Sequence, residues 1–353
     1  MKFDRIAPSL DALRGLRVDG VAAVGDQPAV LAAEAACMLG VPFHPPAAAR
    51  ACHDKHLARA LYQVAKLRTP LFVRASFRED PSAVAACAPY PCVLKPLGLA
   101  GSRGVIRANS PAEFEAAFAR IRKIAEQHLQ VESYIEGREF AVEGLVTAGR
   151  FQPLAIFDKP DVLEGPYFEE TVYVTPSREP AAVQQELLDT TALAVRALGL
   201  RHGPVHAELR HNGAGAWILE THARPIGGLC ARALRFEGGI ALEEVIIRHA
   251  LGEEVSAARL EGPASGVMMI PIPRGGIYES VDGLREAAAV PVVEDVIITA
   301  KEGQQLIPLP EGSSYLGFIF ARGSSAAGVE AALRRSHAEL RFHIATALAT
   351  FKP

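Results

Sequence analysis

The sequence predicts an α+β protein built from two or three subdomains. With 353 residues, the chain exceeds the usual size of a single hydrophobic core. Segments with the alternating apolar pattern of strands are interleaved with segments that show helical periodicity, and short strands become frequent beyond about residue 252. We therefore expect a cleft between the subdomains.

The composition is that of an ordinary globular protein, with 49% apolar residues, 22% charged residues and a formal net charge of −3. Because there is no basic excess, a nucleic-acid partner is not expected. The five cysteines form no C-x-x-C pair, which argues against a zinc site and favours reduced thiols. Charged residues or prolines interrupt every apolar run, and the N-terminus lacks a signal-peptide core. We expect no membrane partner and a cytoplasmic location.

The elements predicted before residue 158 begin with about one βα unit, a strand at 20–25 and a helix at 28–39 that ends at Gly40. A second helix is predicted from Asp54 to Ala65. Ser110-Pro111-Ala112-Glu113 has the capping pattern of a helix start. The other elements are a strand at 92–95, a glycine-rich loop at 98–104, a strand at 105–107, a helix from 111 to 124, and strands at 130–135, 140–146 and 151–157.

Residues 158–180 are predicted to form a long loop, because they contain five prolines or glycines and many acidic groups. Loops of this length tend to be functional. A helix at 181–198 with Gly199 as its cap follows. The remaining predicted elements are a hairpin around Asn212-Gly213, a helix through Leu242 to Ile246, strands at 267–272, 290–293, 296–300 and 316–321, and a closing helix at 328–349.

The hairpin around Asn212-Gly213 carries two carboxylates. Its first run alternates apolar and polar residues, and Asn-Gly is a strong hairpin signal. If the register sets Glu208 opposite Glu220, the two carboxylates lie within about 5 Å, an arrangement that is destabilising unless a cation sits between them. Oxygen ligands suit Mg²⁺, which proteins usually hold together with substrate phosphates. A solvated polar face is the alternative interpretation, and the hairpin alone does not decide between them.

Two other segments contain residue types that suit a nucleotide. Lys95 ends a strand before a glycine-rich loop, where its ammonium group can meet phosphate oxygens while the loop offers backbone N–H groups. Taken alone, that segment is better explained as a surface hairpin. The strand end with Glu132 and Ile135 can present backbone groups and an apolar wall to a purine, with Glu139 at ribose distance. Either glutamate by itself is more often a solvated surface group.

Taken together in their order, Asp54-Lys55, Lys95 with its loop, Glu132 to Glu139, and Glu208 with Glu220 to Arg224 resemble the ATP-grasp superfamily, over roughly residues 20 to 250. Within it the chain looks similar to the L-amino-acid ligase type of carboxylate–amine ligases. The features shared with that type are the loop from Phe157 to Ser177, the segment Arg224-Pro225-Ile226-Gly227-Gly228 and the late run Leu316 to Ala321.

The resemblance implies an ATP-grasp fold, in which two α+β subdomains clasp ATP. The implied ATP-binding residues are Lys55, Lys95, Ser102, Gly104, Glu132, Ser133, Tyr134, Ile135 and Glu139. The implied metal ligands are Glu208, Glu220 and His222, with Mg²⁺ as the ion and Mn²⁺ as the alternative. The implied domains are a truncated N-terminal βα segment at 1–53, an ATP-grasp domain at 54–251 and a β-rich C-terminal α+β domain at 252–353 that closes the substrate side.

The resemblance also implies a reaction between small molecules. A substrate carboxylate attacks the γ-phosphate, giving an acylphosphate and ADP, and an amine then displaces phosphate to form an amide. Glu220 and Arg224 are the implied catalytic residues, because Mg²⁺ neutralises charge in phosphoryl transfer and a guanidinium braces paired oxygens. The implied substrate-binding residues are Glu170, Arg224, Gly227 and Gly228. Glu170 is equally well explained as a solvated loop carboxylate.

Two departures from the family pattern stand out. The metal-site pattern has Asn where this chain has His222, whose imidazole is expected to ligate a softer ion such as Mn²⁺, to contact phosphate, or to mark lost activity. Only about fifty residues precede Asp54-Lys55, so a homodimer contact or another partner is expected to cover the shortened N-terminal domain.

The sequence therefore predicts an ATP-dependent ligase that joins a small carboxylate, expected to be an amino acid, to an amine and releases ADP and phosphate. One alternative keeps the nucleotide site but uses bicarbonate or a thiol as acceptor. The other is a degenerate nucleotide-binding module without turnover, motivated by His222 and the short N-terminal segment.

Overall fold

The computed structural model describes residues 3, 5–125 and 127–346. The chain forms two compact units, each assembled from several stretches of sequence. Unit 1 comprises the described residues up to Arg74, with Glu132–Asp158 and Ser177–Glu261. Unit 2 comprises Ala75–Val131, Lys159–Pro176 and the described residues from Gly262 onward. The domain boundaries at residues 54 and 252 stay a prediction, since the compact units interleave along the chain.

The helices among the described residues are, in chain order, α1 Ile6–Leu13, α2 Asp26–Leu39, α3 Pro46–His53, α4 Lys55–Val64, α5 Pro81–Ala86, α6 Pro111–Ile121, α7 Ala181–Leu198, α8 Leu242–Ala250, α9 Leu284–Ala288 and α10 Ala326–Glu339. A short 3₁₀ turn covers Cys230–Ala233.

The strands are β1 Phe72–Ser76, β2 Cys92–Pro96, β3 Ile106–Ala108, β4 His128–Ser133, β5 Arg138–Thr147, β6 Arg150–Lys159, β7 Val172–Thr175, β8 Gly203–Asn212, β9 Gly215–His222, β10 Arg235–Phe236, β11 Ile240–Ala241, β12 Ala264–Ile270, β13 Gly276–Asp282, β14 Val293–Ile298, β15 Gln305–Leu306, β16 Gly317–Gly323 and β17 Arg341–Ala345.

The capping residues explain why several helices begin and end where the sequence predicts. Helix α2 ends at Gly40, whose φ of 73° lies in the left-handed region that glycine adopts without strain. Helix α4 begins after Asp54, whose carboxylate accepts the backbone N–H groups of His56 and Leu57 at 2.9 and 3.1 Å. The helices predicted at 28–39 and from Asp54 are therefore confirmed.

The strand predicted at 20–25 is wrong, because this segment is irregular in the structure. An isolated apolar run becomes a strand only when a neighbour pairs with its N–H and C=O groups. Here Val21 and Ala23 pack against the core of unit 1 while Val24 is 59% exposed. At Gly20 the backbone passes so close to Ala250 that a Cβ would lie 2.6 Å from its carbonyl oxygen.

The core of unit 1 lies between its sheet and its helices. The strands of this unit lie in the order β6-β5-β8-β9, with antiparallel pairing of β5 with β8 and of β8 with β9. Helix α7 packs on β9, and α3 and α4 pack beside it. Large buried side chains of this core include Tyr62, Phe140, Leu187, Leu209 and Ile218.

The first part of unit 2 contains the small sheet with strand order β1-β4-β2-β3, covered by α5 and α6. Helix α6 begins at Ser110, whose hydroxyl accepts the N–H of Glu113, as the capping pattern predicts. The aromatic side chains Phe114 and Phe118 fill the core beneath it.

The second part of unit 2 contains strands in the order β14-β16-β12-β7, on which α10 packs, and a smaller sheet with the order β15-β13-β17. Strand β7 lies inside the segment 158–180 that the sequence predicts as one loop. The two strands predicted between 290 and 300 are a single strand, β14.

The closing helix predicted at 328–349 is α10, which runs from Ala326 only to Glu339. Residues 341–345 instead form β17 and pair with β13, because strand pairing overrides helical preference here. Residues 347–349 of the predicted helix lie outside the described residues.

The five cysteines all lie in the described part of the chain and are free thiols, of which Cys52, Cys92 and Cys230 are buried. Among the described residues, no helix combines the length and the apolar character needed to cross a bilayer.

Candidate active site

The carboxylate hairpin of unit 1 has the register that the sequence predicts. Glu208 on β8 lies opposite Glu220 on β9, and a bulge directly after this pair places the extra residue Leu219 in β9. The side chains of Glu208 and Glu220 are only 21% and 20% exposed. The solvated-face interpretation is therefore disfavoured, since two neighbouring carboxylates lose much of their hydration at this position.

His206 links the carboxylate of Glu208 to a deeper one. Its Nε2 lies 3.2 Å from Glu208, and its Nδ1 contacts Glu143 on β5, which also accepts the backbone N–H of Ile226 at 3.0 Å. Burial lowers the pKa of His206, but the charge and hydrogen bond of Glu143 more than offset this and raise it to about 9. His206 is therefore a buried cation that reduces repulsion around Glu208.

His222 at the end of β9 lies between two carboxylates. Its Nδ1 is 2.8 Å from Asp26 and its Nε2 is 3.4 Å from Glu220. Its ring stacks on that of His206, with the ring centroids 5.6 Å apart. Both ring nitrogens of His222 therefore face carboxylates, and the ring lies on the same surface as Glu220.

Asp26, the first residue of α2, also holds Arg224. The Nε of Arg224 donates to one carboxylate oxygen at 2.9 Å and a terminal nitrogen donates to the other at 3.2 Å. Burial raises the pKa of Asp26, but the charges of His222 and Arg224 outweigh this and hold it well below its usual range. Asp26 is thus an anion that orients two candidate site residues at once.

Two cations approach this surface from α4. The Nζ of Lys55 lies 3.9 Å from the carboxylate of Glu220. Arg59, one turn further along the helix, forms an ion pair with Glu132 at 2.7 Å, and both side chains are only 1% exposed. The carboxylate of Glu132 is therefore part of the core of unit 1.

The predicted metal ligands contact one another in pairs. Glu208 on β8 lies opposite Glu220 on β9, and Nε2 of His222 lies 3.4 Å from Glu220. The ligand atoms of these three described side chains do not all lie within the distance at which three groups share one ion. Carboxylates suit Mg²⁺ and Mn²⁺, whereas an imidazole nitrogen favours transition metals over Mg²⁺. The metal-binding role of the three residues stays a prediction.

The predicted adenine and ribose residues are organised by Arg210, which the sequence analysis did not identify. Its guanidinium donates to Glu139 at 2.9 Å and to the carbonyl oxygen of Ile135 at 2.6 Å, and it lies 5.0 Å from the ring centre of Tyr134. Ser133 is bonded through both its N–H and its hydroxyl to Leu71. These hydrogen bonds already occupy the carboxylate of Glu139, the carbonyl oxygen of Ile135 and the N–H and hydroxyl groups of Ser133.

The predicted phosphate-binding residues Lys95, Ser102 and Gly104 lie in unit 2. Lys95 is buried in β2, and the loop after that strand turns through Ser102 and Gly104 with φ values of 54° and 72°. A Cβ at Gly104 would lie 2.6 Å from the ring of Pro96, and its N–H already donates to Pro310 at 2.8 Å. Glycine is therefore required at this position by the fold of the loop, whatever the loop binds.

The remaining predicted substrate residues lie in two places. Glu170 of unit 2 forms an ion pair with the buried ammonium of Lys159, which lies 5.1 Å from the ring centre of Tyr173. Gly227 and Gly228 of unit 1 lie after β9 in a partly exposed segment, three and four positions after Arg224. In this structure the ammonium group that contacts Glu170 is that of Lys159. The binding of a substrate ammonium group by Glu170 stays a prediction.

Sequence reasoning missed Asp26, Arg59, Glu143 and Arg210. Glu143 interrupts the apolar run of β5, and a charge inside a buried strand is a signal that could have identified it. Asp26 meets His222 across 196 positions of the chain, and no local pattern indicates that contact.

Two family models match the chain. The model described as an ATP-grasp domain matches residues 88–233, and the model described as L-amino acid ligase C-terminal domain 2 matches residues 268–345. Together they cover most of unit 2 and less than half of unit 1. These matches confirm the predicted resemblance to the ATP-grasp superfamily and to the L-amino-acid ligase type.

Known proteins with similar chains carry ligase and synthase names. The crystal structure of an L-amino acid ligase from Bacillus licheniformis matches with a TM-score of 0.81 at 28% identity, covering 97% of this chain and 86% of that one. Carnosine synthase 1 of Gallus gallus is 28% identical over 316 residues, which are 81% of this chain and 34% of that protein. Alanine–anticapsin ligase of Bacillus subtilis is 28% identical over 205 residues, 51% and 43% of the two chains.

The chain spans less than two thirds of the length of the curated relatives it matches. The fold, the two family models and the carboxylate hairpin nevertheless agree with one another, and the predicted fold class is confirmed. Residues 88–233 thus match the ATP-grasp domain, and the chain resembles the L-amino-acid ligase type of carboxylate–amine ligases.

Proposed function

We propose that this protein is an ATP-dependent ligase that joins a small carboxylate, an amino acid, to an amine through an acylphosphate. The observation that carries this proposal is the pair Glu208 and Glu220, which face each other on adjacent strands with the ammonium of Lys55 3.9 Å from Glu220. Two acids and a lysine in this arrangement suit the phosphates of a metal–nucleotide complex. The names of the relatives support amide-bond formation.

In the proposed reaction, Glu208, Glu220 and His222 would hold Mg²⁺ or Mn²⁺, which would supply positive charge beside the transferring phosphoryl group. Lys55 and Lys95 are proposed phosphate ligands. A carboxylate oxygen of the substrate attacks the γ-phosphorus and ADP leaves. The amine then attacks the acyl carbon, and phosphate leaves with its bonding electrons.

Arg224 is the proposed group that braces the substrate carboxylate and later the tetrahedral oxyanion. Its guanidinium has five N–H donors, and the bonds to Asp26 and to the carbonyl of Pro225 use three of them. The same bonds fix the plane of the guanidinium before substrate arrives, which is the preorganisation that oxyanion stabilisation requires. Gly227 and Gly228 are proposed to approach the substrate with their backbone N–H groups.

The nucleotide base is proposed to bind at the strand end of Glu132, Ser133, Tyr134 and Ile135, with Glu139 toward the ribose. Because the carboxylate of Glu132 is buried against Arg59, backbone groups would make its contact with adenine. Ser102 and Gly104 are proposed to lie over the phosphates, and Glu170 is proposed to meet a substrate ammonium in exchange with Lys159. A cytoplasmic location and a homodimer complete the proposal.

The test is release of ADP and phosphate from Mg²⁺-ATP, repeated with Mn²⁺, against a matrix of amino acids and amines, with mass spectrometry of the products. We expect ADP release only with a pair of substrates, together with a condensed product. ADP release with bicarbonate or a thiol as acceptor would replace the proposed amine acceptor. ATP binding without turnover for every pair would refute the ligase proposal in favour of a nucleotide-binding module.

The variant Glu220→Gln removes one carboxylate of the pair at nearly constant size. We expect turnover to fall by at least about 100-fold, with an unchanged circular dichroism spectrum, because loss of a metal-site interaction typically costs 10–100-fold and Glu220 is a direct ligand in this proposal. Glu244→Gln on α8 is the matched control, since Glu244 pairs with Arg248 four residues later and both side chains are about half exposed. Equal activity of the two variants would contradict the metal assignment.

A further inference from the structure

The glycine-rich loop at 98–104 is held by a turn that lies much later in the chain, between β15 and β16. The backbone N–H of Gly104 donates to the carbonyl oxygen of Pro310 at 2.8 Å. The Nε of Arg103 donates to the carbonyl oxygen of Glu311, also at 2.8 Å. The loop and the turn both belong to unit 2, so these contacts lie inside one compact unit.

The loop needs such contacts because its own sequence leaves it flexible. It contains three glycines, and glycine loses more conformational freedom on folding than any other residue. A local bond from the N–H of Val105 to Ser102, at 3.1 Å, closes one turn within the loop. A local turn does not determine where the loop lies in unit 2. The bonds from Arg103 and Gly104 to the later turn do.

The side chain of Glu311 anchors the later turn to helix α6. The Nε of Arg120 donates to one carboxylate oxygen of Glu311, and a terminal nitrogen donates to the other at 2.9 Å. Such a two-point pair fixes the orientation of both groups. The hydrogen bond from Arg120 holds the pKa of Glu311 below its usual range, so the carboxylate stays ionised. The side chains of Arg120 and Glu311 are 41% and 36% exposed.

Arg120 also holds the segment that pairs with β3, the strand after the loop. Its other terminal nitrogen donates to the hydroxyl group of Tyr167, and its guanidinium lies 5.2 Å from the centre of that ring. Tyr167 forms an antiparallel bridge with Ile106, the first residue of β3. One guanidinium therefore connects the later turn with the strand into which the glycine-rich loop leads.

We propose that Glu311, held by Arg120, is a positioning residue that shapes the glycine-rich loop for phosphate before a nucleotide arrives. This inference rests on the proposed function, in which the loop lies over the phosphates of ATP. A loop that is already ordered does not lose conformational freedom when it binds, and affinity rises accordingly. The region beyond residue 252, expected to close the substrate side, would then act on nucleotide binding as well.

The first measurement is amide hydrogen exchange at Gly104 in the nucleotide-free protein. The N–H of Gly104 is the donor to Pro310, so its exchange rate reports whether the loop is held. We expect Glu311→Ala to speed this exchange by about three- to tenfold, a range that allows for the partial exposure of the pair with Arg120. The matched control is Glu302→Ala in the exposed turn before β15, which should exchange like the unmodified protein.

The second measurement is the affinity for ATP and for adenosine, by calorimetry. We expect Glu311→Ala to weaken ATP binding by about three- to tenfold and to leave adenosine binding unchanged, because only ATP carries phosphates. A general loss of structure would weaken both ligands and would contradict a positioning role. Tighter binding of ATP by Glu311→Ala would also overturn the inference, since the later turn would then hold the loop away from phosphate.

The double variant Glu311→Ala with Arg120→Ala tests whether Glu311 acts through its anchor. In the Arg120→Ala background, replacing Glu311 should change neither the exchange at Gly104 nor the affinity for ATP. An equal effect of Glu311→Ala in both backgrounds overturns the inference, as does normal exchange at Gly104 in the single variant. Should Glu311→Ala fail to fold, Glu311→Gln keeps the size and removes the charge, and the same comparison applies.

The outcome for Glu311 is distinguishable from the outcome for the ligase proposal. Faster exchange at Gly104 together with a selective loss of ATP affinity supports the inference even if no substrate pair gives turnover. Ligase turnover together with unchanged exchange at Gly104 in Glu311→Ala overturns the inference and leaves the proposed function standing.

Discussion

The buried ion pair between Arg59 and Glu132 allows a sharp prediction about stability. Arg59 projects from α4 and Glu132 from the end of β4, their charged atoms are 2.7 Å apart, and each side chain is 1% exposed. Burial lowers the pKa of Arg59, but the charge of Glu132 more than offsets this, so that the guanidinium stays protonated. The perturbation is Arg59→Leu, compared with Glu132→Leu and with the double variant.

The expected loss of unfolding free energy follows from the separation and the burial of the two charges. At 2.7 Å and an effective dielectric constant of about 20, the attraction between the two charges is about 6 kcal/mol. Desolvation costs several kcal/mol for each ion, so the pair as a whole contributes little compared with apolar side chains of similar volume. Either single variant leaves an uncompensated buried charge and should lose about 3–5 kcal/mol of unfolding free energy, whereas the double variant should regain most of it.

The assay is urea unfolding followed by tryptophan fluorescence. Trp217 on β9 is the single tryptophan of the chain and lies in the same unit as the ion pair. Arg248→Gln is the control, because its pair with Glu244 is about half exposed and should contribute less than about 0.5 kcal/mol. The reasoning fails if Arg59→Leu costs less than about 1 kcal/mol, or if the double variant is as unstable as the sum of the single ones.

Three further predictions concern other parts of the molecule. Burial lowers the pKa of His44 to about 4, so the neutral imidazole contributes at most roughly 3 kcal/mol to the free energy of unfolding. This contribution is present above pH 6.5 and is lost as the pH falls toward about 4. In thermal melts from pH 4 to 8, the melting temperature of His44→Gln should therefore fall less at acid pH than that of the unmodified protein. Gly104→Ala should destabilise the protein by about 1–3 kcal/mol, because the φ of Gly104 is 72° and the new Cβ would meet Pro96. Gly98→Ala is the control in the same loop, since a Cβ there has open space, and it should leave the melting temperature unchanged. Arg210→Lys cannot hold Glu139 and Ile135 together, so nucleotide binding measured by calorimetry should weaken by about tenfold, and unchanged binding would remove Arg210 from the proposed site.

Much of the fold was predictable because its signals are local. The Asp54 cap, the Ser110 capping pattern and the glycine at position 40 each determine a helix end through bonds to residues within five positions. The hairpin register at Glu208 and Glu220 follows from the alternation of each strand and from the turn between them. Such features need no information from distant parts of the chain.

The errors occurred where distant contacts decide the local structure. The apolar run at 20–25 has the composition of a strand but packs as an irregular segment against the core and the end of α8. Residues 341–345 leave the predicted helix because β13 offers them a pairing partner about sixty positions earlier in the chain. A pattern of apolar residues shows which side chains of a segment can be buried. Whether the segment is a helix, a strand or irregular depends on the neighbours that it packs against or pairs with.

The family resemblance, the pair of carboxylates and the position of His222 two residues after Glu220 were all readable in the sequence, since they depend on residue types at short spacing along two adjacent strands. The contacts that hold those residues became visible in the fold. Asp26 reaches His222 and Arg224 across nearly two hundred positions, Arg59 draws the carboxylate of Glu132 into the core, and Arg210 ties together the strand end of Ile135 and Glu139. An unpaired buried charge is strongly destabilising, so each of these buried charges is paired with an opposite charge. The partner can lie far away in the sequence, and the spacing of residues along the chain does not show which residues become neighbours in space.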